Sequence, residues 1–318
     1  MAPVSDIKKV LFIRGGAVGD FVLTVPLLRA LRKAHPGASL EILGYPEIAS
    51  LAMACGLADR IHRVDAPGVA PLFSESGSFP PEQAAWFGGF GAVVCVWPDR
   101  DGVMRRRLGQ VCAGRVVHID PMPRESSSVH AVDYANAQMA AHGYGLLDVA
   151  PMLTPGRAEA EWAEGLWRTR GLVGERTLGV HPGSGSRRKN WPADRFAAVM
   201  GRWIAEGGKV LMTEGPSDEE AAGAVLSRMA GRGVVCLRHE PLPRVAAALA
   251  RCAAYVGNDS GLTHLAAALG VPTVAVFGPT DSGLWGPRGA RVKVVEGGQG
   301  FAEASAEAVL RALDSVTG

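Results

Sequence analysis

The 318-residue sequence lacks most of the features that would place it at once. Its five cysteines, Cys55, Cys95, Cys112, Cys236 and Cys252, are odd in number and contain no C-x-x-C pair. That argues against a disulfide framework or a zinc site, and it fits a reducing compartment. No segment holds the roughly 18 uninterrupted apolar residues needed to span a bilayer, because glycine, proline or charge breaks every candidate. The apolar stretch that follows Lys8 and Lys9 is only about five residues long, short of a signal-peptide core. There is no charge of one sign either: 33 basic residues face 31 acidic ones, so no overall field points to nucleic acid. No 20- to 50-residue repeat, G-x-x-x-x-G-K-[ST] loop or G-x-G-x-x-G turn occurs. These absences lead to the expectation of a soluble cytoplasmic protein without a nucleic-acid partner. Membrane contact is expected only peripherally, at the inner face of the cytoplasmic membrane.

What is present is a repeated alternation of short apolar runs and helical periodicity. Residues 10–13 read as a strand, followed by a glycine-rich turn and an apolar-periodic helix through Leu27, Leu28 and Leu31. Further strands are predicted at 39–43, 60–64, 92–96 and 114–119, with an irregular Gly-, Pro- and Ser-rich connection at 66–81. Residues 151–155 read as a linker, after which the alternation restarts with strands at 177–180, 208–212, 233–237, 254–257 and 273–277. Strands separated by helices imply parallel sheets covered on both faces. The expectation is an α/β protein of two Rossmann-like domains, 1–155 and 156–318, facing each other across a cleft in the GT-B architecture. A terminal helix from 301 to 316 is a candidate to pack back onto the first domain.

Three strand-to-helix turns carry candidate chemistry, each at the sheet edge where ligands bind in open α/β folds. Gly15-Gly16-Ala17-Val18-Gly19-Asp20 puts a carboxylate just after a glycine turn; Asp20 is either a helix cap or a reactive group. His181-Pro182-Gly183-Ser184-Gly185-Ser186-Arg187-Arg188-Lys189-Asn190 combines glycines, hydroxyls and cations, which suits a diphosphate, or is a solvated basic loop. Gly257-Asn258-Asp259-Ser260-Gly261-Leu262-Thr263-His264 opens a helix whose free N–H groups suit a phosphate leaving group. Within it Asp259 either binds sugar hydroxyls or caps the helix, and His264 lies on an apolar face where a structural histidine is the commoner case. Arg105-Arg106-Arg107 reads as a solvated helix face in preference to a site for anionic lipid or sugar acids.

Taken together and in this order, these turns resemble glycosyltransferase family 9, the ADP-heptose:lipopolysaccharide heptosyltransferases. The resemblance runs from Gly19-Asp20 and residues 24–32 through His181-Pro182-Gly183-Ser184 and Lys189-Asn190-Trp191-Pro192 to Gly257–Gly261 and Gly278-Pro279-Thr280-Asp281. It implies transfer of a heptose from ADP-heptose to a glycolipid or glycan acceptor, with inversion, no metal and no cofactor. It implies that Asp20 takes the acceptor's proton, Lys189 meets the donor phosphates and Asp259 holds donor hydroxyls. Ser184, Ser186, Ser260, Gly261 and His264 then line the nucleotide-diphosphate site. Residues 213–219 fall where the family meets the nucleoside, without one carboxylate assigned to the ribose. Competing expectations are a GT-B enzyme with another nucleotide sugar or a hydrolysing epimerase, a nicotinamide-dependent dehydrogenase, and a non-catalytic nucleotide-sugar binder.

Overall fold

The computed structural model describes residues 7–123, 127–145, 150–174, 176–229 and 233–318. The chain divides into two compact units, Met1–Val149 and Ala150–Gly318.

The first unit holds five parallel strands: β1 (Lys9–Ile13), β2 (Ser39–Gly44), β3 (Arg60–Arg63), β4 (Ala92–Val96) and β5 (Arg115–Ile119), in spatial order β3-β2-β1-β4-β5. The two-residue period of a strand sends alternate side chains to opposite faces. Val10 and Phe12 of β1 enter one core with Leu27, Leu28 and Leu31, whereas Leu11 and Ile13 enter another with Phe87, Phe90 and Leu108. Burial on both faces is why these strands read as unbroken apolar runs.

The second unit repeats the plan with β6 (Thr177–His181), β7 (Lys209–Glu214), β8 (Val234–Arg238), β9 (Ala254–Asn258), β10 (Thr273–Phe277) and β11 (Val292–Glu296), ordered β11-β10-β9-β6-β7-β8. Numbered from β6, this is the full dinucleotide-fold order. Strand β11 is absent from the sequence expectation because Lys293 and Glu296 interrupt its valines, as is common on an edge strand.

The structure adds detail to three of the expectations. The linker at 151–155 is part of the second unit: Leu153 is buried and its N–H donates to the Ala268 carbonyl at 2.9 Å. The terminal helix Ala306–Thr317 spends its apolar face in the second unit's own core, through Val309, Ala312 and Leu313. The arginine run is a solvated face at Arg105 and Arg106, which are exposed, but not at Arg107. Arg107 is 8% exposed and donates to the carbonyls of Pro71 and Gly77 at 2.8 and 2.5 Å, with its guanidinium over the Phe79 ring. Arg106 pairs with Glu75, and Arg105 with Asp99. The run therefore staples the 66–81 connection, whose Val69 and Leu72 are buried beneath it. Arg107→Ala would strand both carbonyls, and we expect a loss of about 2–4 kcal/mol of stability with faster amide exchange in 67–79; unchanged denaturant midpoints would reject the staple.

Asp99-Arg100-Asp101 has the spacing of a paired-carboxylate cation site, but both side chains are committed to the helix Val103–Val111. Asp99 accepts from the N–H groups of Met104 and Arg105, and Asp101 from that of Val103. Burial opposes the charge on Asp99, yet these N–H donors, with the Arg105 guanidinium and His118, hold it below the usual carboxylate range. Among the described residues no group of three or more His, Cys, Asp or Glu is arranged to hold a metal ion, and no helix is long and apolar enough to cross a membrane.

Candidate active site

In a doubly wound sheet, ligands collect where the strand order reverses. In the first unit that point lies between β1 and β4, and in the second between β6 and β9. The three turns singled out in the sequence follow β1, β6 and β9, so each unit brings its candidate groups to its own reversal point.

In the first unit β1 leads into Arg14 and a short helix, Val18–Val22, with Asp20 in its first turn. Asp20 does not choose between cap and reactive group. Its Oδ2 accepts from the Ala17 N–H at 3.0 Å, its Oδ1 lies 3.6 Å from Arg14 Nη2, and the side chain remains 40% exposed. Arg14, buried beneath it, also donates to the carbonyls of Asp20 and Val96 at 3.1 and 3.3 Å. Burial lowers the Arg14 pKa, and the Asp20 charge works against that shift. The guanidinium thus grips both the backbone and the carboxylate of one residue, so Asp20 presents a fixed oxygen to solvent.

The glycines of this turn make room for the protein's own side chains. A Cβ on Gly15 would lie 2.3 Å from Cζ3 of Trp97, and one on Gly16, whose φ is +97°, would lie 2.8 Å from Asp20 Oδ2. A pyrophosphate that needed this glycine surface would meet an indole and a carboxylate, which removes the basis of the nicotinamide expectation.

In the second unit an ion pair occupies the centre of the reversal point. Lys189 Nζ stands 2.7 Å from Asp259 Oδ2, with Lys189 about one-third exposed and Asp259 nearly buried. The lysine comes from the short 3₁₀ turn Arg187–Lys189 after β6, and the aspartate from the residue after β9. The ammonium neutralises Oδ2 without lying along a hydrogen-bond direction, which leaves the carboxylate capacity for further donors.

Asn258, fully buried, ties these two turns together. Its Nδ2 donates to the carbonyls of Pro182 and Gly183 at 2.8 and 3.3 Å, and its Oδ1 accepts from the Trp191 N–H at 2.9 Å. Ser184 Oγ lies 2.6 Å from both Asn190 Oδ1 and the Ser186 carbonyl, which closes the loop on itself. Gly183 has no space for a side chain: a Cβ there would fall 2.0 Å from Asp218 Oδ1. Asp218 also faces His181, whose pKa is lowered by burial, while Asp218 and the Thr213 carbonyl work against that shift.

Ser260 stands at the N-cap position of the helix Gly261–Ala268 without a side-chain capping bond; its hydroxyl lies 3.2 Å from that of Thr263, which donates to the Asn258 carbonyl at 2.5 Å. Gly261 is the first residue of the helix, and His264 sits one turn along, buried. Lys189, Asp259, Ser260 and Gly261 therefore converge, whereas the side chain of Ser186 is exposed and Arg187 is drawn off to Glu220. Motif reading passes over Arg14 and Trp97, and it quotes Asn258 and Asp218 within their segments without giving either a role. Arg14 alone leaves a local signal, a charge between four buried strand residues and a glycine turn.

Comparison with known proteins bears on the family and the fold. Residues 125–309, more than half of the chain, match the family described as Glycosyltransferase family 9 (heptosyltransferase). Lipopolysaccharide heptosyltransferase 2 of Salmonella typhimurium is 26% identical over 324 aligned residues, covering 90% of this chain and 87% of that protein. The glycosyl transferase family 9 structure from Veillonella parvula superposes with a TM-score of 0.79 at 23% identity, covering 98% of this chain and 97% of that one. The E. coli ADP-heptose lps heptosyltransferase II gives 0.75 at 20% identity, over 97% and 98%. Two parallel-sheet α/β units of the GT-B class, an Asp20 turn and a paired Lys189–Asp259 thus occur in one chain, and that chain belongs to glycosyltransferase family 9, the heptosyltransferase family.

Proposed function

We propose that the protein transfers a heptose from ADP-heptose to a lipopolysaccharide-core or related glycan acceptor, by a single inverting displacement that needs no metal. The observation that carries this reading is the Lys189–Asp259 pair beside the N-terminus of the helix Gly261–Ala268. Lys189 supplies a cation, and the helix supplies unsatisfied N–H groups at its positive end; together they suit a nucleoside diphosphate. Asp259, already neutralised, accepts from donor sugar hydroxyls.

In the reaction an acceptor hydroxyl oxygen attacks the anomeric carbon while its proton passes to Asp20, since a neutral hydroxyl is a poor nucleophile until its proton has a destination. The bond from the anomeric carbon to the phosphate oxygen breaks, and ADP departs with its new negative charge on Lys189 and the helix N–H groups. One displacement inverts the anomeric configuration. Arg14 acts as a positioning residue for Asp20, and Asn258 for the Lys189 loop.

Calorimetric titration with ADP, UDP, GDP and NAD in the presence of EDTA, followed by transfer assays with ADP-heptose, tests this. Selective ADP binding with EDTA present and transfer of heptose are expected. Preference for UDP or GDP would overturn the donor, and loss of transfer in EDTA would overturn metal independence.

A further inference from the structure

An aromatic pair stands against the turn that carries Asp20, and none of the roles above uses it. Trp97 is the first residue after β4, directly across the reversal point from the β1 turn. Its indole rests on Gly15 so closely that a Cβ there would lie 2.3 and 2.4 Å from Cζ3 and Cη2, and the next residue, Gly16, lies against the Asp20 carboxylate. Both backbone groups of Trp97 are held: its N–H donates to the Ile119 carbonyl at 3.2 Å, and its carbonyl accepts from His118 Nε2 at 2.8 Å. Phe73 leans on the indole with ring centroids 5.1 Å apart at 50°, and is itself 42% exposed. Phe73 comes from the connection that Arg107 staples, so its place is fixed from outside the pair.

A lone exposed phenylalanine needs no explanation. Here a half-buried tryptophan, pinned at both backbone groups, and an exposed phenylalanine form one surface against the glycine turn that carries Asp20, the carboxylate proposed to meet an acceptor hydroxyl. The C–H faces of a pyranose ring pack on aromatic rings, and the few polar groups beside such a surface fix the orientation.

We propose that Phe73 and Trp97 form the subsite for the acceptor's sugar ring, stacking it so that the reacting hydroxyl reaches Asp20. This rests on the transferase reading above and adds a specificity-determining surface to it. Phe73→Ala and Trp97→Leu remove the surface, whereas Trp97→Phe keeps an aromatic plane and serves as the conservative variant.

The experiment uses a delipidated core oligosaccharide as probe, with binding followed by saturation-transfer NMR and heptose transfer from ADP-heptose assayed in parallel. For Phe73→Ala and Trp97→Leu we expect acceptor KM to rise about five- to tenfold, the scale of one aromatic packing contact, with donor KM and ADP affinity unchanged. Trp97→Phe should restore most of the loss. Phe73→Ala changes an exposed side chain, so its result stands even where Trp97→Leu folds poorly. Equal oligosaccharide binding by wild type and Phe73→Ala, or no binding by wild type, overturns the subsite. Absence of heptose transfer by wild type with oligosaccharide binding intact overturns the transferase reading and leaves the subsite standing.

Discussion

Asp20→Asn is expected to lower kcat for heptose transfer by about 10²–10⁴-fold, the usual scale for loss of a positioned proton acceptor, while ADP affinity stays at the wild-type value. Asparagine keeps the shape and can still accept from the Ala17 N–H through its carbonyl oxygen, so the cap at the start of Val18–Val22 survives. What disappears is the negative charge that faces Arg14 at 3.6 Å and that, in the proposed mechanism, accepts the proton. Arg14 retains its bonds to the Asp20 and Val96 carbonyls. Because the Asp20 side chain is 40% exposed, its pairing with Arg14 is screened and its loss should cost about 1 kcal/mol or less. Circular-dichroism melts and single-turnover rates on the same preparation separate the two effects. A variant that turned over within about tenfold of wild type would reduce Asp20 to a helix cap.

Lys189→Met should slow transfer by about 10²–10³-fold, the cost of removing one preorganised charge from a developing anion, and should also weaken ADP binding. It leaves Asp259 nearly buried without its counter-ion, a cost we place at about 1–3 kcal/mol because Lys189 itself is partly exposed. Asp259→Asn removes the complementary charge. In the double variant Lys189→Met/Asp259→Asn no lone charge remains, so stability should return toward wild type while activity stays low. Recovery of both together would mean that the pair is a structural clamp with no part in departure of the diphosphate.

The strands were legible because parallel strands buried on both faces leave continuous apolar runs, as in Ala92–Val96 and Thr273–Phe277. The turns were legible because glycine, hydroxyl and charge must sit next to one another in sequence to sit at one strand end. Residues that act across the reversal point were not. Trp97 meets Gly15, and Asn258 meets Trp191 67 positions earlier, only because β4 lies beside β1 and β9 beside β6. No periodicity within either segment announces such a partner. The arginine run misled for a similar reason: the partners of two of its three arginines, the carbonyls of Pro71 and Gly77 for Arg107 and the carboxylate of Glu75 for Arg106, belong to a connection some thirty residues away. Strand β11 was hidden by its charges, and the role of 151–155 by its prolines, which suggest a linker even where a single backbone bond ties the segment down.

At Pro71 and Gly77 the Arg107 staple grips its loop by main-chain oxygen, and every amino acid supplies that oxygen. Exposed side chains of this stretch such as Phe73 are thus released from the task of anchoring the segment, which falls to the staple, to buried Leu72 and to Glu75 paired with Arg106. A lineage can exchange them one at a time without unfastening the loop, so this stretch is where new acceptor preferences have the most room to evolve.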